Sequence, residues 1–435
     1  MPSISPRERS AILQSLAAGV VPAIGLHHIQ VGRKEEVDAL LRDLQLVEDG
    51  SAAVRFIVGR YGSGKTFFLN LIRSVALQRK HVVLQADIST DRRLYATGGE
   101  ARALYAELIR NLATRARPEG NALANLVEKW IGEVDHNLRA SGGTDDDVRR
   151  AISSQLRPLQ DLVSGFDFIQ VMTKYYDGFQ QHNEELQSAA LRWLRGEFAT
   201  KSEARAALGV RSIIDDAEIY EYLKLWAGFV RLAGYKGLLV NIDELVVLSH
   251  RLSNTIARNK NYEALLRIIN DCLQGRAQGL AFIFAGTDEC LEDRRRGLFS
   301  YEALATRLAG NRFAVEGRQD WSSPVMKLQN LRPEDCFVLL HNLRNVFAGG
   351  DATRFLVPDA AIEAYLRDCN SRLGAAYFQT PRDTVKDFVN LLNLLEQDRS
   401  LTWQSLLNSK SYVTPSSQTS QEPPAEDDVL SEFKL

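Results

Sequence analysis

Several common features are scarce in this sequence, and each scarcity excludes a class of protein. The four cysteines are Cys272, Cys290, Cys336 and Cys369. Their spacing fits neither a zinc ribbon nor a C-x-x-C redox pair, and they are too few for a disulfide framework. No apolar run reaches the roughly 18 residues that span a bilayer, and the N-terminal MPSISPRERS lacks the apolar core of a signal peptide. We therefore expect a reduced protein of the cytoplasm that is neither secreted nor inserted in a membrane.

A surplus of charge of one sign is also missing. Lysine and arginine number 53 against 55 acidic residues in a chain of 435. Dedicated nucleic-acid binders usually carry a basic excess, so any contact with DNA must come from a local patch. Hydrophobic residues make up 45% of the chain, which is enough for two or three cores of ordinary domain size.

Short apolar segments predict a parallel sheet. Residues 54–58, 81–86, 237–242 and 279–285 are nearly continuous apolar runs, as expected for strands buried on both faces. Residues 325–328 are a further candidate. The first run leads directly into a glycine-rich turn and a helix that starts near Lys65, which is the opening βα unit of a nucleotide-binding α/β fold.

Helical periodicity dominates the rest of the chain. Residues 8–18 predict a first amphipathic helix. Residues 117–230 predict three or four helices inserted between the second and third strands. The chain is predicted to be helical again after residue 331, with a last amphipathic helix over residues 381–395. Residues 412–435 are rich in Ser, Gln, Pro and acidic groups, and such a composition predicts a disordered tail.

The predicted domain boundaries follow this order. We expect an N-terminal helix and approach segment (1–30), the first part of the nucleotide-binding core (31–116), the helical insertion (117–230), the second part of the core (231–330), a helical lid (331–411) and the tail (412–435).

The strongest chemical signal is GRYGSGKT at residues 59–66, which fits the phosphate-loop pattern G-x-x-x-x-G-K-[ST] at every fixed position. In such a loop the backbone N–H groups wrap around phosphates, Lys65 supplies a cation to the β and γ phosphates, and the Thr66 hydroxyl helps to hold Mg²⁺. ATP and Mg²⁺ are therefore the expected cofactors. The predicted nucleotide-binding residues of this loop are Gly59, Arg60, Tyr61, Gly62, Ser63, Gly64, Lys65 and Thr66.

Polar side chains follow the third and fourth predicted strands. The segment LLVNIDE ends in Asp243 and Glu244. We predict that Asp243 holds Mg²⁺ and that Glu244 orients and polarises the attacking water, because phosphoryl transfer depends on positioning and charge neutralisation. Thr287 follows the next strand, and we predict that it holds this water near the γ phosphate. The alternative for Thr287 is an ordinary polar strand end.

Three residues outside the loop are further candidates for contact with the nucleotide. Arg382 would project from the first turn of a helix capped by Thr380, where the helix dipole disfavours a cation unless an anion such as the γ phosphate is bound. We predict that Arg382 senses that phosphate, with an ordinary surface arginine as the alternative. Gly32 and Arg33, in VGRKEE, open an earlier helix and are expected to pack beside the adenine and ribose.

A local excess of arginine lies between residues 293 and 318. Its members are Arg294, Arg295, Arg296, Arg307, Arg312 and Arg318. Arg307 could reach the nucleotide of a neighbouring subunit, the group could contact a phosphate backbone, or it could form a solvated, ion-paired face. The sequence leaves these alternatives open. His27 and His28 have no partners at metal-ligand spacing and are expected to be structural.

Taken together, VGR before the first strand, GRYGSGKT, NIDE, the threonine of AGTD and TPR near the lid resemble the AAA+ ATPases, in the branch related to origin-recognition and STAND proteins. The run from IGLHHIQVGRKEEV through RFIVGRYGSGKTFFLNLIRSVAL to LLVNIDEL is similar to the bacterial BREX-type ATP-binding proteins, the BrxC and BrxD relatives. The resemblance covers about residues 8–400. It implies an α/β fold with a P-loop AAA+ core around a parallel sheet, a long helical insertion and a C-terminal helical lid domain.

The same resemblance implies a function. It suggests an ATP hydrolase that works as a motor, loader or accessory component of an anti-phage defence complex directed at DNA. A homo-oligomer is expected, with a helicase-like or other defence protein as partner. The alternative is a STAND-like switch that controls a partner effector with little turnover.

Overall fold

A computed structural model of the chain describes residues 4–311, 320–373 and 381–408. Arg312, Arg318, Thr380 and the tail predicted at residues 412–435 therefore lie outside the described residues. No helix within the described residues is long and apolar enough to cross a membrane.

The described residues form a five-stranded parallel sheet at the centre of a mixed α/β fold. Its strands are β1 (Ala52–Val58), β2 (Val82–Asp87), β3 (Leu238–Asp243), β4 (Leu280–Gly286) and β5 (Val325–Lys327). Their order across the sheet is β2-β3-β4-β1-β5, and every neighbouring pair is parallel. The strands confirm the five apolar segments of the sequence. β4 lies between β1 and β3, so the carboxyl ends of these three strands meet at one edge of the sheet.

The described residues contain seventeen α-helices, some of which cover the two faces of this sheet. They are α1 (Pro6–Ala17), α2 (Lys34–Glu48), α3 (Lys65–Gln78), α4 (Glu100–Arg110), α5 (Leu123–Ala140), α6 (Asp145–Leu156), α7 (Gly165–Gln180), α8 (Glu184–Leu194), α9 (Lys201–Leu208), α10 (Ile219–Leu232), α11 (Thr255–Leu273), α12 (Asp288–Glu292), α13 (Glu302–Leu308), α14 (Pro333–Phe347), α15 (Asp359–Leu373), α16 (Pro381–Gln397) and α17 (Trp403–Asn408). α2 and α3 pack on one face, where Leu44 and Ile72 join a core with Ile57 and Ile283.

Residues 117–230, all of them described, contain the six helices α5 to α10 rather than the three or four predicted. Breaks of a few residues separate several of them, and three of these helices begin at a polar cap. Thr144 accepts a hydrogen bond from the backbone N–H of Asp147, and Thr200 accepts one from that of Glu203. Such breaks leave the surrounding helical pattern almost intact, which is why the sequence underestimated the number of helices.

This helical insertion packs directly on the second face of the sheet. Trp226 and Phe229 of α10 contact Phe168 of α7 with their rings edge to face. All three lie in the same apolar cluster as Val240 of β3 and Phe282 of β4. The insertion therefore shares a continuous core with the sheet.

The first helix packs against the C-terminal helices. α1 contacts α16 and α14, and Ile12 of α1 and Ile29 lie in one apolar cluster with Leu340, Leu343 and Phe388. Phe67, at the start of α3, packs against the edge of this cluster. The N-terminal segment and the C-terminal helices thus meet beside the loop that precedes α3.

Candidate nucleotide site

The loop at residues 59–66 joins the carboxyl end of β1 to α3. Gly62 and Gly64 have φ angles of 78° and 92°, which only glycine adopts without strain. The loop curls around Lys65, whose ammonium group donates hydrogen bonds to the carbonyl oxygens of Gly59 at 2.9 Å and Arg60 at 3.0 Å. Burial lowers the pKa of Lys65, while the negative charges of Asp243 and Glu244 oppose that shift. The cation is therefore held at the turn where a phosphate would bind.

The two predicted Mg²⁺ ligands contact each other. The Thr66 hydroxyl donates a hydrogen bond of 2.8 Å to Asp243 Oδ2, and the backbone N–H of Glu244 donates one of 2.8 Å to Oδ1. Asp243 is only 4% exposed. Adjacent oxygens around Mg²⁺ lie about 2.9 Å apart, because each Mg–O distance is about 2.1 Å in an octahedron. The hydroxyl and the carboxylate are thus already spaced as two ligands of one ion.

A third carboxylate, Asp87, lies at this edge of the sheet and was missed by sequence reasoning. It ends β2 and pairs in register with Asp243 of β3. Burial raises the pKa of Asp87, the nearby charge of Asp243 adds to this rise, and Arg92 opposes it. The only signal in the sequence was an acid directly after the run at 81–86, and nothing there shows that β2 and β3 are neighbours.

Glu244 occupies a strained position. Its φ is 61°, in the left-handed region that residues other than glycine seldom adopt and that is common at functional sites. Although the residue as a whole is exposed, partial burial of its carboxyl group raises the pKa of Glu244. The charges of Asp243 and Asp87 raise it further, and Lys65 opposes the rise. A carboxylate with a raised pKa at this place is suited to accept a proton from water.

A cavity of about 400 Å³ opens beside the loop. Such a volume lies within the range of small-molecule sites. We call its charged part the phosphate end, which consists of residues 61–66, Asp243 and Glu244. We call its aliphatic part the apolar end; it is lined by Leu16, Val20, Val21, Ile29, Val31, Leu331, Leu339 and Val385. A molecule with phosphates at one extremity and a flat, largely apolar ring system at the other matches this division.

The structure places ten of the predicted site residues on the cavity wall. They are Arg33, Tyr61, Gly62, Ser63, Gly64, Lys65, Thr66, Asp243, Glu244 and Arg382. The other four lie off the wall. Gly59, the first residue of the loop, packs against the segment after β5, where an added Cβ would lie 2.8 Å from the Leu328 carbonyl oxygen. Arg60 contributes the carbonyl oxygen that binds Lys65.

Gly32 and Thr287, the remaining two, serve nearby packing and capping. Gly32 has a φ of 60°, and an added Cβ there would lie 3.3 Å from the Asp335 carboxyl carbon. The absence of a side chain therefore lets α14 pack closely against this residue. Thr287 follows β4 between the ends of β1 and β3, and its hydroxyl accepts a hydrogen bond of 3.3 Å from the Cys290 backbone N–H. That bond caps α12 and leaves the hydroxyl proton available to another acceptor.

Two arginines connect the loop to distant parts of the chain. Arg382 of α16 donates to the Tyr61 hydroxyl at 2.8 Å and to the Gly19 carbonyl oxygen at 2.6 Å. Arg33 donates to the Ser63 carbonyl oxygen at 3.4 Å and to that of Gln329 at 2.5 Å. Arg33 therefore supports the backbone of the loop and of the segment after β5.

The described arginines of the predicted cluster lie apart from the cavity wall. Arg307 donates to the Asn270 side-chain oxygen at 2.5 Å and to the Ala303 carbonyl oxygen at 2.9 Å. Arg294, Arg295 and Arg296 are exposed. The structure thus separates one half-buried arginine from three that face solvent.

Comparison with known protein families gives a match. The sequence model of the family described as BREX system ATP-binding protein BrxC/D matches residues 4–411, which include every element and cavity residue named above. No individual curated protein matches the chain. The chain therefore belongs to the BREX system ATP-binding proteins, the BrxC/D family, and this membership implies ATP binding and a role in a phage-defence system.

Proposed function

We propose that this protein is a Mg²⁺-dependent ATP hydrolase with an AAA+ core, in which α1 and α14 to α17 form a lid over the nucleotide. The observation that carries the proposal is the 2.8 Å contact between the Thr66 hydroxyl and Asp243, with Lys65 and Glu244 on the wall of the same cavity. A protein that only stores a nucleotide needs the loop, whereas hydrolysis also needs a carboxylate poised beside the metal ligands.

Each residue has a distinct task in this mechanism. The backbone N–H groups of residues 62–66 and the Lys65 ammonium group bind the β and γ phosphates. Thr66 and Asp243 would hold Mg²⁺, which would supply positive charge to neutralise the charge that develops on these phosphates. Glu244 orients the attacking water and accepts its proton, and Thr287 donates its free hydroxyl proton to that water.

Arg382 links the chemistry to the lid. It lies at the N-terminus of α16 and is bound to Tyr61 and the Gly19 carbonyl oxygen. We propose that it exchanges these neutral partners for the γ phosphate when ATP binds, because a hydrogen bond between two charged groups is stronger. Loss of the γ phosphate would then release α16, so that hydrolysis moves the lid.

Within the phage-defence system, we propose that this movement acts on DNA or on a DNA-bound partner in the cytoplasm. The protein would serve as a motor, a loader or an accessory component beside a helicase-like or other defence protein. Arg294, Arg295 and Arg296 are the exposed cations that could meet a phosphate backbone. In a homo-oligomer, Arg307 would have to leave Asn270 to reach a neighbouring nucleotide.

One observation favours a second function, a STAND-like switch with little turnover that controls a partner effector. The apolar end is lined by side chains from α1, the segment after it and the C-terminal helices, so contacts with three parts of the chain would hold a bound nucleotide. Slow release would keep the protein in one state until a partner opens the lid.

Steady-state ATP hydrolysis with and without duplex DNA distinguishes the two functions. The set comprises wild type, Lys65→Ala and Glu244→Gln, with Glu289→Gln as the control because Glu289 is exposed on α12. The motor or loader predicts DNA-stimulated turnover that is lost in the first two variants and kept in the control. Negligible turnover throughout, with nucleotide retained by wild type and Glu244→Gln but not by Lys65→Ala, would favour the switch. Turnover that survives in Glu244→Gln would contradict the proposed mechanism.

A further inference from the structure

Glu8, His27 and His28 form a cluster at the junction of α1 and the turn Leu26–His28. One ligand atom from each residue can be chosen so that all three lie within 4.8 Å of one another. Sequence spacing gave the two histidines no metal partner, because Glu8 lies on a different helix and only the fold brings it to them. The expectation of a purely structural role therefore needs revision.

The Nε2 atom of His28 lacks a hydrogen-bond partner within the described residues. The His28 side chain is only 5% exposed, and Nε2 is buried without a hydrogen bond. The nearest carboxylate oxygen, Glu8 Oε2, is 3.7 Å away, which is too far for a hydrogen bond. Buried polar atoms are nearly always hydrogen-bonded, so an unpaired nitrogen 3.7 Å from a carboxylate oxygen is available, together with that carboxylate, to bind a cation.

The carboxylate of Glu8 is held in place from the other side. The hydroxyl of Ser5 donates to Oε2 at 2.7 Å and the Ser5 backbone N–H donates to it at 3.2 Å. The Ser5 hydroxyl lowers the pKa of Glu8, and the nearby histidines add to this effect. Metal-binding carboxylates are commonly oriented by such outer hydrogen bonds.

A glycine lets the two elements come together. Gly25 has a φ of 77° and directly precedes the turn that carries both histidines. An added Cβ would lie 2.7 Å from Ile12 Cδ1 and 3.3 Å from Glu8 Cβ. Any larger residue would be strained at this φ and would displace the Ile12 side chain, so glycine at this point permits the approach of Glu8 to the histidines.

We propose that Glu8, His27 and His28 bind a divalent cation of the zinc class. Two imidazoles and one carboxylate are a ligand set that zinc accepts, with water completing a tetrahedron. The ring centroids of the histidines are 4.0 Å apart, and the exposed His27 can rotate to close the cluster. Zinc ligands lie about 3.4 Å apart at bond lengths near 2.1 Å, so only a small adjustment is needed.

The cation would brace the apolar end of the nucleotide cavity. Leu16 and Val20 follow Glu8 on one side, and Ile29 and Val31 follow His28 on the other, and all four line the cavity. A metal bond between α1 and the turn would hold these two walls together. The site is separate from the Mg²⁺ ligands Thr66 and Asp243, which offer only oxygen.

Titration of the tag-free, full-length protein with Co²⁺ tests the site, because tetrahedral Co²⁺ gives an intense visible absorption that octahedral Co²⁺ lacks. We expect one equivalent per chain with this absorption, displaced by Zn²⁺. His28→Ala and Glu8→Gln should weaken binding by roughly 100-fold or more, as loss of a direct ligand exceeds the effect of an outer partner. Gly25→Ala should weaken it as well.

Two variants serve as controls. His136→Ala removes an exposed histidine of α5, and Asp243→Asn removes the proposed Mg²⁺ ligand, so both should keep the absorption. Glu8→Gln keeps the shape of the side chain and removes only its charge. Thermal melts would show whether each variant is folded. No tetrahedral absorption in wild type, absorption that persists in a folded Glu8→Gln or His28→Ala, or absorption that is lost in Asp243→Asn would overturn the inference. None of these readings depends on ATP hydrolysis.

Discussion

The two ends of the cavity are built in different ways. The phosphate end comes from the loop after β1 and from the end of β3, and its charged groups are fixed by hydrogen bonds of 2.8–3.0 Å. The apolar end is assembled from α1, the segment after it and the C-terminal helices, which contribute single aliphatic side chains. The charged residues that would act on phosphates thus come from two short segments of the chain. The aliphatic residues that close the site come from several distant segments.

The largest effect on activity should come from substitution of Glu244 at the phosphate end. Glu244→Gln removes the proton acceptor and should lower kcat by about 10²–10⁴-fold. ATP should still bind, because the loop is unchanged. Single-turnover hydrolysis together with equilibrium binding would measure both quantities, and Glu289→Gln should behave as wild type. Equal losses of binding and turnover in Glu244→Gln would show that the residue supports the fold of the site rather than the reaction.

Lys65→Ala should produce the next largest effect and should separate the two ends. Loss of a charged hydrogen-bond donor costs about 1.5–3 kcal/mol, which corresponds to about 10–150-fold in ATP affinity. Adenosine, which lacks phosphates, should bind the variant and wild type equally well. Calorimetry with both ligands would test this, and a parallel loss for adenosine would mean that the ends are not independent.

A substitution at the apolar end should cause a smaller loss of binding affinity, and the loss should be the same for ATP, ADP and adenosine. Val20→Ala shortens a wall residue that is 51% exposed. The substitution removes two carbons from a half-exposed side chain, which equals roughly one buried methylene. At about 0.8 kcal/mol per buried methylene, affinity should fall about fourfold for ATP, ADP and adenosine alike. The matched control is Val338→Ala, since Val338 is 47% exposed on α14 and lies off the cavity wall. A loss confined to ATP would break the proposed division of the cavity.

Removal of the hydrogen bond between Arg382 and Tyr61 should have a smaller effect still. Tyr61→Phe removes the hydroxyl that accepts the hydrogen bond from Arg382, at an exposed position where the bond contributes about 0.5–1.5 kcal/mol. We expect faster amide hydrogen exchange in the first turns of α16 in the nucleotide-free protein, because that end of the helix is held less firmly. Unchanged exchange in α16 would indicate that Arg382 does not tie the lid to the loop.

The smallest expected effect concerns pH and stability. Burial raises the pKa of Glu244 in the folded chain above its ordinary value. The stability that this shift contributes is therefore present below the unfolded pKa and is lost as the pH rises through the folded pKa. Glu244→Gln should raise the Tm of the nucleotide-free protein at neutral pH, and the difference should fade in acid. A Tm difference that does not depend on pH would contradict this.

The sequence predicted the phosphate end better than the apolar end for a physical reason. Lys65, Thr66 and Asp243 belong to contiguous patterns whose geometry is set by the adjoining strand and helix. Val20 and Leu339 are ordinary aliphatic residues, and only long-range packing brings them to one cavity. The five strands could be predicted because β strands that are buried on both faces consist of nearly continuous apolar residues.

The errors and omissions have the same origin. Asp87 was missed because the order of strands in the sheet depends on pairing between distant segments. The cluster of Glu8 with the histidines was missed because α1 and the turn are brought together by packing around Gly25. Gly32 packs against Asp335 of α14, a neighbour that the sequence did not indicate, while its place beside the adenine stays a prediction. In each case the residue type was visible in the sequence, but its neighbour in space was not.

The most direct test of the account is an experimental structure of Glu244→Gln with ATP and Mg²⁺. We predict the γ phosphate within hydrogen-bond distance of the Lys65 ammonium group, Mg²⁺ on Thr66 and Asp243, and the adenine against the aliphatic residues of the apolar end. Such a complex would show that a single nucleotide joins the two ends. An adenine bound outside that end, or a nucleotide that leaves the loop empty, would contradict the account.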